Sequence, residues 1–250
     1  QEPDSTLLLA SGMGRHWPDG RGVFENANKN LFVWVGEEDH LRIVSMQGSR
    51  AECTPEGKQI KEVTARFMRA CEEVDKVLKA EGSGFMHNEH LGWVLTCPSN
   101  LGTGLRAGTM VKLPKLSARE DWKAFLAKMC LQARGTGGVD SDNTGGTWDI
   151  SNADRIGKGE VDLVNILIEG AAQLVKWETL LDEDKGDEVE AAIKTEFARL
   201  AKVETDKFAK ASLDGDVVVV SRTLSTLCKP KTFHNITFAD SEGIIATSHA

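Results

Sequence analysis

Two apolar runs, LFVWV (31–35) and LRIVSM (41–46), are separated only by Gly36-Glu37-Glu38-Asp39-His40. Both runs are rich in β-branched and aromatic residues, and the glycine-led link reads as a hairpin or near-hairpin. So short a link returns the chain antiparallel, because a parallel neighbour needs a crossover of about a dozen residues. Further strand-like runs follow at GWVLTC (92–97), TMVKLP (109–114) and 147–151. Between them, Val63, Phe67, Ala70, Val74 and Val77 recur at helical spacing over 61–80, and a long amphipathic pattern spans 160–181. Ser117 with Glu120 matches a capping box that opens a helix through Leu131. The pattern predicts an α+β fold, with a mainly antiparallel sheet backed by these helices.

The compact part is expected to end near 182. Beyond it, Val189, Ile193, Phe197 and Leu200 line one face of a strongly charged stretch that reads as a solvated amphipathic helix. The rest, to 250, has room for a strand or two and shows no chemistry.

The net charge of −8 argues against a broad grip on nucleic acid or an anionic membrane, while 30 Lys and Arg leave material for a local basic pocket. No apolar run reaches the roughly 18 residues of a membrane span, and the first residues lack the basic start of a secretory signal. Five widely spaced cysteines (Cys53, Cys71, Cys97, Cys130 and Cys228) with no C-x-x-C argue against a zinc site and point to a reducing, cytoplasmic compartment.

The stretch TCPSNLGTGLRAG (96–108) places Cys97 at the end of an apparent strand, before a proline and a Gly-rich basic loop. A thiol is useful when ionised, and the Ser99 hydroxyl with nearby backbone N–H groups would stabilise a thiolate. Arg106 follows two glycines, Arg134 opens RGTGG, and Arg42 lies on the strand after the acidic turn. Guanidinium groups match phosphate in a fork geometry, and glycine lets the backbone approach it. Neither a P-loop nor a dinucleotide fingerprint is present. In the turn, Glu37, Glu38 and Asp39 either form a solvated acidic surface or turn one carboxylate inward onto a cation. A carboxylate and a thiolate on one site would suit a guanidinium, which is a poor nucleophile until it loses a proton. Phosphoryl transfer to it asks mainly for positioning and charge neutralisation.

Taken together, WVGEEDHLRIVSMQ, TCPSNLGTGLRAG, RGTGGVD and WDISNADR, with LLLASGMGRHWPDGRG upstream, closely resemble the signature stretches of the phosphagen kinases, the ATP:guanidino phosphotransferases. The resemblance covers roughly residues 5–182. Within the family it is most similar to the creatine kinases, and it implies ATP or ADP with Mg²⁺ as the nucleotide and creatine or a related guanidino compound as acceptor. By resemblance, Cys97 is the reactive thiolate, Ser99 supports it and contacts substrate, and Glu38 binds and orients the guanidinium. Arg42, Arg106 and Arg134 grip the phosphates. Residues Arg134, Gly135, Thr136, Gly137, Gly138 and Val139 form a loop that closes on the nucleotide, and Asp149 contacts its ribose and base side. Val139 stands where arginine kinases carry a glutamate, and in the creatine-type pattern it packs on the substrate's methyl group. No metal ligand is expected from the chain. One departure is TMVKLP, which has Met110 where the family has a histidine that contacts the nucleotide.

The resemblance also implies partners: an upstream kinase segment supplying a small helical domain and further arginines, or a second copy of the chain. On that basis the 250 residues alone are expected to fold without useful turnover. The other function class left open is a kinase-derived domain that binds nucleotide or serves structurally without catalysis. Glu38 and Cys97 are expected within one guanidinium's width of each other, with Arg42 and Arg106 lining the same cleft. Cys97 is expected to be the most reactive of the five thiols.

Overall fold

The computed structural model describes residues 2–47, 58–135, 145–214, 236–240 and 243–248. The chain divides into two compact units, Gln1–Gly104 and Leu105–Ala250.

The first unit opens with a short helix, α1 (Thr6–Ala10), then an antiparallel meander of β1 (Gly22–Glu25), β2 (Leu31–Val35) and β3 (Leu41–Ser45). The β1–β2 turn is organised by Asn26, whose Oδ1 accepts from the Asn30 and Leu31 N–H groups at 3.0 Å each. The expected hairpin is present, with Trp34 opposite Arg42 and Val35 opposite Leu41. Gly36 makes its turn at φ 71°, and its N–H donates to the His40 carbonyl at 3.0 Å. The helix α2 (Lys58–Ala80) lies against β3. Arg66 fastens it there, donating from one nitrogen to the Asn30 and Met46 carbonyls and the Ser45 hydroxyl, each at 3.1 Å. A small ladder of β4 (His87–Asn88) and β5 (Gly92–Trp93) follows. The strand expected over 92–97 is therefore cut to its first two residues, Gly92 and Trp93.

The second unit is built on β6 (Gly108–Lys112), β7 (Leu131–Arg134) and β8 (Thr147–Asn152), antiparallel in the order β6-β8-β7. The helix α4 (Glu160–Asp182) covers this sheet and presents Leu163, Leu167, Leu174 and Trp177, none more than 1% exposed. Gly170 lets the helix come close: a Cβ there would lie 2.6 Å from Leu131 Cδ1. Burying each such large side chain stabilises the fold by about 1.5–3 kcal/mol.

Two details correct the expected pattern. The helix between the sheet strands, α3 (Trp122–Lys128), is only seven residues long, and Ser117 caps nothing. Ser117 sits instead in a single 3₁₀ turn, Leu116–Ala118. That turn is fixed by Glu178, which is only 6% exposed and accepts from the Lys115 and Leu116 N–H groups at 2.8 and 2.9 Å. At the other end Cys130 takes φ 56°, which stops the helix and starts β7 where helix and loop were expected. The charged helix is present as α5 (Gly186–Asp214), but its apolar face is not solvated. Val189 and Ile193 are 0% and 4% exposed, and Phe197 meets Phe125 of α3 with centroids 5.4 Å apart. A final hairpin, β9 (Ile236–Asp240) and β10 (Gly243–Ser248), is antiparallel. No helix among the described residues is long and apolar enough to cross a membrane.

Candidate active site

The hairpin link of the first unit gathers charge. Arg42 is held by all three acids: Nη1 lies 2.9 Å from Glu37 Oε2, and Nη2 bonds Glu38 Oε2 and lies 3.5 Å from Asp39 Oδ2. One guanidinium cannot neutralise three carboxylates, so the turn keeps a surplus of negative charge suited to a further cation.

Asp39 turns away from solvent, at 4% exposure. Its Oδ1 accepts from the Thr96 N–H at 3.1 Å and the Cys97 N–H at 3.4 Å, and its Oδ2 from Asn100 Nδ2 at 2.9 Å. Of the three acids, the carboxylate that faces inward is that of Asp39, and it binds the thiol loop. Cys97 is half-buried at the start of a 3₁₀ turn, Pro98–Asn100, with its Sγ 3.0 Å from Ser99 Oγ. The glycines around it have a packing reason. Gly92 sits at φ 68°, a Cβ on it would run into the Gly102 backbone, and the Trp93 N–H donates to the Gly102 carbonyl at 2.7 Å. A side chain at Gly92 would push apart the two arms that carry the Cys97 turn between them.

The second unit gathers the other candidates. Asp149 lies in the middle strand, β8, with Met110 opposite it on β6 and Arg134 opposite it on β7. Arg106 Nη2 pairs with Asp149 Oδ2 at 2.6 Å. Met110, in the family's histidine position, is 55% exposed. Gly135 is buried just past β7, and Thr136, Gly137, Gly138 and Val139 lie outside the described residues. The backbone on either side of Arg106 is clamped by Asn152, which is 0% exposed. Its Oδ1 accepts from the Ala107 N–H at 2.8 Å, and its Nδ2 donates to the Leu105 and Asp154 carbonyls at 3.1 and 2.8 Å. A third arginine joins the group. Arg155 donates to the Asn152 and Ala153 carbonyls at 3.0 and 2.9 Å. Burial, and then the nearby Arg134 and Arg106 guanidiniums, pull Arg155 below the usual guanidinium range. Crowding of like charge is unfavourable in itself and suits a site for a polyanion.

Glu38 and Arg42 are therefore in contact, Cys97 is tied to the same turn through Asp39, and Arg106 belongs with Arg134 and Asp149 in the second unit. Sequence reasoning gave no role to Asp39, Asn152 or Arg155. The last two were within reach, since both lie inside the signature WDISNADR. Among the described residues no three His, Cys, Asp or Glu side chains form a metal-holding group.

Comparison with known proteins bears on the family of the chain. The family model for the ATP:guanido phosphotransferase C-terminal catalytic domain matches residues 3–181. The chain is 52% identical over 182 residues to a testis creatine kinase of Oncorhynchus mykiss, covering 73% of this chain and 45% of that protein. It is 50% identical over 184 residues to an M-type creatine kinase of Torpedo marmorata, covering 74% and 46%. Among solved structures, a lombricine kinase superposes with TM-score 0.68 at 37% identity, over 76% of this chain and 50% of that one. A duplicated taurocyamine kinase from Schistosoma mansoni superposes with TM-score 0.63 at 37% identity, over 74% and 24%. The chain spans about half the length of the curated relatives it matches. With the signature stretches, the antiparallel fold and the family match over 3–181 in agreement, the chain belongs to the ATP:guanido phosphotransferase family, of which it carries the C-terminal catalytic domain.

Proposed function

We propose that this domain serves a guanidino kinase that moves the γ-phosphoryl group of MgATP reversibly onto creatine, in a cytoplasmic setting. The observation that carries the proposal is the tether through Asp39, which puts the carboxylate-rich turn of Glu38 and the thiol loop of Cys97 on one frame. Glu38 binds and orients the guanidinium, and Cys97, supported by Ser99, supplies negative charge on its other flank. As a guanidino nitrogen bonds to the γ-phosphorus, the bond from that phosphorus to the β-bridging oxygen breaks and ADP departs. The nitrogen's proton passes to the Glu38 carboxylate. Arg42 and Arg106 exchange their carboxylate partners for phosphate oxygens and, with Arg134, hold the charge that spreads over the transferring group. Asp149, released by Arg106, faces the ribose side, the segment from Gly135 to Val139 closes over the nucleotide, and Mg²⁺ enters as part of the nucleotide substrate.

Creatine is the preferred acceptor in this reading because the creatine kinases match at 48–52% identity and the loop reads RGTGGVD, with Val139. A coupled assay with MgATP and creatine, taurocyamine, lombricine or arginine tests it. The result is read as ratios, acceptor against acceptor and variant against parent, at whatever absolute rate the 250 residues sustain. Creatine is expected to give the highest kcat/KM, and Glu38→Ala or Cys97→Ala to lower kcat by about a hundredfold or more. A higher kcat/KM with another acceptor would reassign the substrate. Met110, exposed beside Asp149 in place of a nucleotide-contacting histidine, favours a second reading, a domain that binds nucleotide without turning it over. MgADP binding with no acceptor consumed would establish that reading instead.

A further inference from the structure

The geometry points to Asp39 as a positioning residue: its buried carboxylate sets the Cys97 turn at a fixed distance from Glu38, so that carboxylate and thiol face the same ligand. The inference rests on the guanidino-kinase reading for its consequence, but not for its geometry. Three features single the residue out. Its side chain is the only buried acid of the turn, at 4% exposure, whereas the side chains of Glu37 and Glu38 are 24% and 15% exposed. Its two oxygens are spent on the far segment, Oδ1 on the Thr96 and Cys97 N–H groups and Oδ2 on the Asn100 amide, across 57 to 61 residues of sequence. And Arg42 closes the frame from the other side, lying 3.5 Å from Asp39 Oδ2 while bonded to Glu38.

The chemistry explains why a carboxylate is used. Two backbone donors and one amide donor converge on the site, and only an acceptor with lone pairs on both oxygens satisfies all three. Hydrogen bonds to a charged acceptor are about twice as strong as neutral ones. A loop made of Cys97-Pro98-Ser99-Asn100 between glycines has little else to hold it, and its Sγ–Ser99 contact stays within the turn itself. Without the Asp39 bonds the turn keeps its internal geometry but loses its address relative to Glu38. A displacement of the order of 1 Å between reacting groups costs about a hundredfold in rate.

The test uses three variants of the full chain: Asp39→Ala, Asp39→Asn, and the exchange Asp39→Asn with Asn100→Asp. Alanine removes every bond. Asparagine alone keeps the acceptor for Thr96 and Cys97 but turns a donor toward the Asn100 amide. The exchange restores one donor facing one acceptor at unchanged side-chain size. Two readouts are taken: kcat and acceptor KM by coupled assay, and the alkylation rates of Cys97, Cys71 and Cys130 at fixed pH by mass spectrometry. Asp39→Ala is expected to lower kcat about a hundredfold, raise the acceptor KM, and speed alkylation of Cys97 several-fold by releasing a half-buried thiol, leaving Cys71 and Cys130 unchanged. Asp39→Asn should fall between, and the exchange should recover most of the loss. The inference is overturned if Cys97 alkylation and the KM–kcat pattern in Asp39→Ala match the parent. It is equally overturned if all three cysteines accelerate together and the exchange restores nothing, since that marks general destabilisation. Should Asp39→Ala fail to fold, the single asparagine and the exchange decide by the same criteria. Should the parent turn over no acceptor, the kinase reading fails for this chain, and the alkylation of Cys97 still decides the tether.

Discussion

At the scale of single residues, the two halves of the proposed chemistry depend on polar groups that touch no reactant. Asn152 makes three hydrogen bonds from a fully buried amide, two of them to the residues that flank Arg106. Asn152→Ala strands the Ala107 N–H and two carbonyls, and each buried unsatisfied group costs about 1–3 kcal/mol. The expected outcome is a stability loss of about 3 kcal/mol in urea unfolding, together with weaker MgADP binding in calorimetry. Loss of stability with unchanged nucleotide affinity would separate Asn152 from the placement of Arg106. The cysteines offer a second check. Cys71 on α2 is pushed up to about 11, first by burial and further by Glu72, against a stabilising backbone bond. At neutral pH it is a protonated, poorly reactive thiol, so Cys97 is expected to alkylate faster than Cys71 and Cys130. The sign of the pH effect follows: the folded chain holds the Cys71 proton more tightly than the unfolded chain. Its contribution is intact below the unfolded value of 9.0 and is lost as pH rises through about 11. A melting series across that alkaline window should therefore decline less steeply in Cys71→Ala.

At the scale of elements, glycine and helix packing decide geometry that propensity leaves open. Gly92 meets Gly102 backbone to backbone at positive φ, so Gly92→Ala should open the β4–β5 ladder and unseat the Cys97 turn. The expected cost is at least about 1 kcal/mol from the φ requirement alone, and more from the collision. Urea unfolding at parental stability would show that the two arms separate without penalty. The helix α5 presents the opposite case. It lies beyond the family match at 3–181, yet it buries Val189 and Ile193 and packs Phe197 against Phe125 with the rings tilted by 58°. Arg119 adds to this junction by bonding Glu190 and Asp121, with its guanidinium 5.3 Å from the Phe125 centroid. Ile193→Ala is expected to cost about 2–4 kcal/mol, as for other buried aliphatic truncations. A change of a few tenths in chemical unfolding would mark α5 as loosely applied.

At the scale of the whole chain, a net charge of −8 coexists with a local cluster of three arginines, Arg106, Arg134 and Arg155. The surplus of acid repels polyanions in general, and under the proposed function the local cluster would select a small one that fits among its guanidiniums. Two consequences can be measured. MgADP affinity should fall as salt is raised, because the pairing groups are partly exposed and screened. A long duplex DNA should show no binding at physiological salt. Tight DNA binding would mean that the cluster is an open basic surface.

Much of the fold was legible in the residues because short-range chemistry fixes it. Five residues between two β-branched runs force a hairpin, and the apolar period over 160–181 forces the helix found at Glu160–Asp182. The candidate residues were legible for a different reason: thiol, carboxylate and arginine beside glycine form a chemical vocabulary that can be read without coordinates. What remained hidden depends on contacts distant in sequence. Ser117 looked like a helix cap until Glu178, 61 residues away, claimed the neighbouring N–H groups. The apolar face of α5 looked solvated until Phe125 covered it. Asp39 looked like one more acid in a solvated turn, and only the folded chain brings Thr96, Cys97 and Asn100 to its oxygens. Local pattern determines which elements form and which groups are reactive. Burial and long-range hydrogen bonding, which no local window contains, decide which of several equivalent carboxylates holds the site together.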